Sequence, residues 1–159
     1  MSFARQNQIS GPVPVLSPTV GLVAGTHVMT MDGDLPVEYL TPGDRVLTRN
    51  GARVLAAISV RLEEDSAMVR INAGTLGHGR PCADMLVSLH QMILIRDWRA
   101  NVLYGAPQAL VAAGRLADGM VNKIETLSKA RIFTLEFAED VVIYADGVEM
   151  AFLAAKVGA

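Results

Sequence analysis

From Gly21 onward, apolar and β-branched residues come in short runs, and three dipeptides stand between such runs: Asp32-Gly33, Asn50-Gly51 and Asp146-Gly147. Each supplies residues tolerant of positive φ, as a two-residue hairpin turn requires if its twist is to match that of the flanking strands. Arg45 to Thr48 and Val54 to Arg61 flank Asn50-Gly51, while Val141 to Tyr144 and Val148 to Phe152 flank Asp146-Gly147. Their β-branched and aromatic content predicts strands. Met68 to Ile71, Met85 to Ser88, Met92 to Ile95, Val121 to Leu127 and Arg131 to Phe137 are further strand candidates. The pattern predicts an all-β, antiparallel fold.

One short helical segment is expected over Pro107 to Leu116, because proline is tolerated in a first turn and Ala109, Ala112 and Ala113 are good helix formers. A faint internal echo joins Val37-Glu38-Tyr39-Leu40-Thr41-Pro42-Gly43-Asp44-Arg45-Val46 and Ala112-Ala113-Gly114-Arg115-Leu116-Ala117-Asp118-Gly119-Met120-Val121. Both place a leucine three residues before a glycine and then enter a strand. Residues 1–20 are punctuated by proline and serine and read as an irregular arm, 21–153 as one domain and 154–159 as a tail.

Composition narrows the classes of function. The 159 residues are 51% hydrophobic and 19% charged, which fits one compact domain with a generous core. A net charge of −2 with no concentrated cationic stretch argues against nucleic acid as a partner. Cys82 is the single cysteine and cannot close an internal disulfide. Pro12, Pro14 and Pro18 break the N-terminal apolar stretch, and no run is long enough to span a membrane. A cytoplasmic protein is expected, with signal-independent export left open, and no membrane partner.

The segment Gly21-Leu22-Val23-Ala24-Gly25-Thr26, then Asp32-Gly33, then Val37-Glu38-Tyr39-Leu40-Thr41-Pro42-Gly43-Asp44-Arg45-Val46, resembles the opening of a Hint domain, the autoprocessing module of Hedgehog proteins and inteins. Leu76-Gly77-His78-Gly79-Arg80-Pro81 leading to Asp84-Met85-Leu86-Val87-Ser88, then Arg96-Asp97-Trp98-Arg99-Ala100, Tyr104-Gly105-Ala106-Pro107 and Tyr144-Ala145-Asp146-Gly147, are similar to a bacterial branch of that family. The resemblance covers residues 21–153 and implies a pseudo-two-fold antiparallel β fold. It also implies a reaction: a Cys or Ser attacks its own preceding carbonyl, and a Thr/Ser-x-x-His strand motif stabilises the oxyanion and protonates the departing nitrogen.

This chain departs from that pattern at three positions. Gly21 stands where the nucleophile belongs. The strand motif opens with Ser88, but its fourth position is Gln91 and the imidazole comes one residue early, as His90. Alternation along a strand turns a residue displaced by one to the opposite face unless a bulge absorbs the shift. Where relatives carry a second His in the later strand, this chain has Asp140. General acid-base help is worth about 10²–10⁴ in rate, roughly 3–5 kcal/mol; without a nucleophile the covalent route is gone.

Replacement nucleophiles are weaker candidates. Cys82 lies far along the chain from the family's position and reads as a small hydrophobe. Thr26 reads as a residue opening a strand, and Ser17 and Thr19 lack the neighbouring motif. The chain ends without the terminal Asn that splicing uses. A Ser88–His90 hydrolase would need the two on one strand face, and no Gly-x-Ser-x-Gly elbow accompanies them. His27, His78 and His90 are not spaced as metal ligands, and no cofactor is expected. Gly77-His78-Gly79 reads as a turn, Asp44 and Asp84 as acceptors for backbone amides, and Trp98 as an edge residue or partner anchor. The expectation is a Hint-type domain with family site positions Gly21, Thr26, Ser88, His90, Gln91 and Asp140, incapable of self-cleavage, acting as a binding module for an unidentified protein. A domain with a relocated nucleophile is the alternative.

Overall fold

A computed structural model describes residues 20–154. The N-terminal arm, except Val20, and the tail from residue 155 lie outside them. The described chain is almost entirely antiparallel β. In chain order the strands are β1 (Leu22–Val23), β2 (His27–Thr30), β3 (Gly33–Pro36), β4 (Arg45–Thr48), β5 (Gly51–Val54), β6 (Ala57–Ile71), β7 (Met85–Ser88), β8 (Met92–Ile95), β9 (Ala109–Ala112), β10 (Lys123–Glu136), β11 (Val141–Ala145) and β12 (Val148–Phe152). One sheet runs β9-β8-β12-β11-β2-β4-β5, with β3 paired to β2. The rest close on themselves in the order β10-β1-β7-β6.

All three turn dipeptides make hairpins, by two different devices. At Asp146-Gly147 both residues have positive φ, 49° and 82°, the two-residue turn whose twist suits the strands. At the other two only the glycine does, Gly33 at 108° and Gly51 at 96°. There a threonine hydroxyl does the stitching. Thr30 Oγ1 accepts from Asp32 N and donates to Gly33 O, and Thr48 Oγ1 repeats both bonds with Asn50 N and Gly51 O.

The helix falls elsewhere than expected. It spans Trp98–Tyr104 (α1): Asp97 caps it by accepting from Arg99 N, and Gly105 closes it at φ 65°. The alanine-rich stretch after Pro107 is instead β9, paired with β8 from Ala109↔Ile95 to Ala112↔Met92, followed by a 3₁₀ turn over Ala113–Leu116. Helix propensity differs by only tenths of a kcal/mol between residues, and sheet pairing overrides it.

Two expected strand pairs merge. Residues 57–71 form one strand and 123–136 another, paired along their length from Ala57↔Glu136 to Arg70↔Lys123. Gly51–Val54 makes a separate strand. The chain then turns a corner at Leu55 and Ala56, pinned by Leu55 N to Asp44 O and Ala56 N to Glu136 O.

The internal echo has a structural counterpart. Val37–Tyr39 and Ala113–Leu116 are both 3₁₀ turns, each following a strand and each ending against a buried leucine, Leu40 or Leu116. Gly43 and Gly119 both then adopt positive φ. Between the strand layers lies one core built from Leu22, Val28, Val46, Val69, Ile93 and Ile143 among others, with a smaller cluster at Met68, Ala130 and Ile132. Burying each such side chain stabilises the fold by about 1.5–3 kcal/mol.

Candidate functional site

Gly21 is buried between two strands. Leu22 pairs with Val87 on β7 and with Phe133 on β10. Extending both registers by one residue sets Gly21 against Ser88 on one side and Thr134 on the other. Its φ is +140°, and a Cβ built there would stand 2.5 Å from the Phe133 carbonyl oxygen and 2.9 Å from Ile132 Cγ2. The carbonyl just before it, Val20 O, accepts a 2.6 Å hydrogen bond from Thr134 Oγ1. Thr134 escaped sequence reasoning because its role depends on which strand lies beside β1, and no local pattern encodes that.

The Ser88-Leu89-His90-Gln91 segment sorts its two candidates by exposure. Ser88 is buried and ends β7, so strand alternation stops there and Ser88 and His90 share no strand face. A tight turn follows, closed by Gln91 N to Ser88 O. It is held down where Ala113 N donates to Gln91 O and Gly114 N to Leu89 O. His90 sits exposed at this turn, and Gln91 points inward, 1% exposed. Gln91 Nε2 donates to Ala151 O at 2.9 Å and to Met92 O at 3.2 Å, while Oε1 has no hydrogen-bond partner.

Asp140 stands just before β11, opposite the chain leaving β12. It is exposed, and its Oδ1 accepts from Ala154 N at 2.6 Å. Gln91 and Asp140 therefore both hold the end of β12, whereas Gly21, Ser88 and Thr134 meet across β1. Thr26 is engaged elsewhere: its N–H donates to Val23 O and its carbonyl accepts from Val37 N. The neighbouring Gly25 N donates to Glu38 Oε1, which holds the Glu38 carboxyl below its usual range.

The remaining sequence candidates take structural places. Asp44 and Asp84 accept from the backbone amides of Thr41 and Ala73. Cys82 is exposed, its N–H donating to Asp146 O in the β11–β12 turn. Asp146 itself is half buried, and loss of solvent pushes its carboxyl up, opposed by His27 N donating to it at 3.2 Å. Trp98 is largely exposed, with the Arg99 guanidinium 5.0 Å from its ring centre. Among the described residues no three His, Cys, Asp or Glu side chains form a metal-binding group. No described helix is long and apolar enough to cross a membrane.

One unforeseen cluster stands out. Glu149, within β12, is 2% exposed and has three arginines around it: Arg96 Nη2 at 2.7 Å and Arg49 Nε at 3.2 Å from Oε2, and Arg80 Nη1 at 3.8 Å from Oε1. The only signal in the sequence is a lone charge between Val148 and Met150.

Comparison with known proteins agrees with this architecture. A family model described as "Hint domain" matches residues 20–154. The solution structure of a bacterial intein-like domain from Clostridium thermocellum superposes with a TM-score of 0.63 at 15% identity, covering 85% of this chain and 99% of that one. The crystal structure of the gp41-1 intein follows at 0.55 and 14%, covering 83% and 98%. At these identities the likeness is one of fold. No curated protein matches the chain. The family model takes in the whole described fold, from the residue before Gly21 to the end of the last strand, and the chain belongs to the Hint domain family.

Proposed function

We propose that this Hint domain does not cleave itself and works as a binding module. The observation that carries the reading is the backbone at Gly21. The acyl shift that the family resemblance implies needs a heavy atom on that residue to bond to the Val20 carbonyl carbon, and glycine has none. The space such an atom would fill already belongs to the Phe133 carbonyl oxygen, 2.5 Å from an ideal Cβ. Gln91 supports the same reading. An amide has neither the basicity to take a proton nor an acidic proton to give to a departing nitrogen. Thr134 still polarises the Val20 carbonyl, but a hydrogen bond without a nucleophile leaves the peptide bond intact.

The test is mass spectrometry of purified protein held with dithiothreitol or hydroxylamine, which capture thioesters and esters. The expected result is a single intact mass over time, for the natural chain and for Gly21→Cys alike. Nucleophile-dependent scission between Val20 and Gly21, with proteases excluded, overturns the proposal.

A further inference from the structure

The sheet face that carries Glu149 is unlike the rest of the surface. Register partners share a face, so Tyr144↔Glu149↔Leu94 and Val142↔Ala151 stand together. Tyr144, Leu94, Val142 and Ala151 are half-buried, and Glu149 alone is shut from solvent, beneath Arg49, Arg80 and Arg96. A buried carboxylate needs opposite charge and hydrogen bonds, and one or two guanidiniums would meet that need. Three leave a local excess of positive charge on a protein whose net charge is −2.

The arginines also hold donors in reserve. The only hydrogen bond from these three guanidiniums to a described residue is Arg96 Nη2 to Glu149 Oε2. The Arg80 guanidinium donates none to a described residue, and each arginine is a third or more exposed. Among the described residues Glu149 is the only acid within ion-pair reach of any of them. Recesses open on both sides of the cluster. One, of about 230 Å³, is lined by Arg80, Arg96, His78 and Asp97, the last paired to Arg99. The other, of about 300 Å³, is lined by Arg49, Leu110, Leu153 and Asp140, whose Oδ1 accepts from Ala154 N.

We infer that this face is a docking surface for an acidic peptide segment whose carboxylates take the unused N–H groups of Arg80 and Arg96 while neighbouring aliphatic side chains lie toward Leu110 and Leu153. Planar guanidinium forks match carboxylates in a bidentate manner, and here no fork is used that way: Glu149 takes a single hydrogen bond, at Oε2 from Arg96, and its Oε1 has no hydrogen-bond partner. The inference rests on reading the chain as a binding module. It fails separately from that reading, because it makes no statement about scission at Gly21.

The test follows arginine Nε–H signals by NMR while a short peptide alternating glutamate and leucine is added to the full chain. The expected result is saturable shifts at Arg49, Arg80 and Arg96, weakening as salt is raised. Arg80→Gln, which removes no internal hydrogen bond, is expected to lose about tenfold in affinity with its melting temperature kept. Arg96→Lys, retaining charge without the fork, is expected to fall between, and serves if Arg80→Gln does not fold. A glutamine–leucine peptide is expected not to bind. Absence of saturable shifts, undiminished binding by folded Arg80→Gln and Arg96→Lys, equal binding of the glutamine peptide, or saturation by inorganic phosphate but not by the peptide would each overturn the inference.

Discussion

At the scale of single residues, two positions owe their character to backbone rather than side chain. Gly21 combines φ +140° with a filled Cβ site. Gly21→Ala is therefore expected to destabilise the domain by at least about 1–3 kcal/mol, the usual size of one such backbone strain, with steric contact adding to it. Urea unfolding checks this, and an unchanged midpoint would contradict the account. Asp146 is the second. Its φ of 49° suits Asp or Asn, and burial raises its carboxyl pKa. A raised folded pKa means that the fold prefers the protonated acid, so stability is lost as pH rises from the ordinary aspartate range, near about 3.9, through the folded value. Asp146→Asn keeps the acceptor for His27 N and carries no charge. It is expected to melt higher than the natural chain at neutral pH, with the difference vanishing near about pH 3. A gain persisting unchanged in acid would show that charge is not its cause.

At the scale of elements, what the sequence made legible is what is local. The Asp146-Gly147 hairpin needs only its own two residues, and the other hairpins need four. In those, Thr30 and Thr48 close the loop with a hydroxyl, a device that the reading by dipeptide passes over because the threonine stands two residues before it. Thr48→Val keeps the β-branch and removes the hydroxyl. Two hydrogen bonds are lost, so it is expected to cost about 1–3 kcal/mol at about 0.5–1.5 kcal/mol each, measured by thermal unfolding, and Thr30→Val is expected to match it. The helix shows the opposite case. Its cap at Asp97 and its stop at Gly105 are both present in the sequence, yet the alanines beyond Pro107 form the stronger propensity signal. Those alanines become a strand because β8 offers Ile95 to Met92 as a pairing edge, information spread over a separation no local window holds. Thr134 and the arginine ring on Glu149 were hidden for the same reason: each joins residues from distant parts of the chain. The outward place of His90 and the inward place of Gln91 depend on β7 ending at Ser88, which the sequence motif alone does not show.

At the scale of the whole molecule, the paired strands β6 and β10 hold a gradient. A second neighbour is present only over part of each strand, β7 beside Met68 to Ile71 of β6 and β1 beside Ile132 and Phe133 of β10. The stretch from Leu62 to Asp65 pairs with β10 alone, through Leu62 to Glu64, is largely exposed, and breaks register at Asp65, where φ is 50°. Native-state hydrogen exchange is expected to be fastest there and slowest at Ile143 and Met150, which lie fully buried in the large sheet. Uniform protection along β6 would contradict this ordering. The closed arrangement of β10, β1, β7 and β6 also means that the residue beside Gly21 is shared by two strand pairings, so a change at Gly21 is felt on both sides.

That shared position ties any side chain at Gly21 to the strand pairing around it. A cysteine introduced there would bring its thiol onto a backbone whose Cβ site lies 2.5 Å from the Phe133 carbonyl oxygen. Seating it would demand that β1 and β10 shift together with the substitution, so a nucleophile cannot be grafted at this position by changing one residue alone.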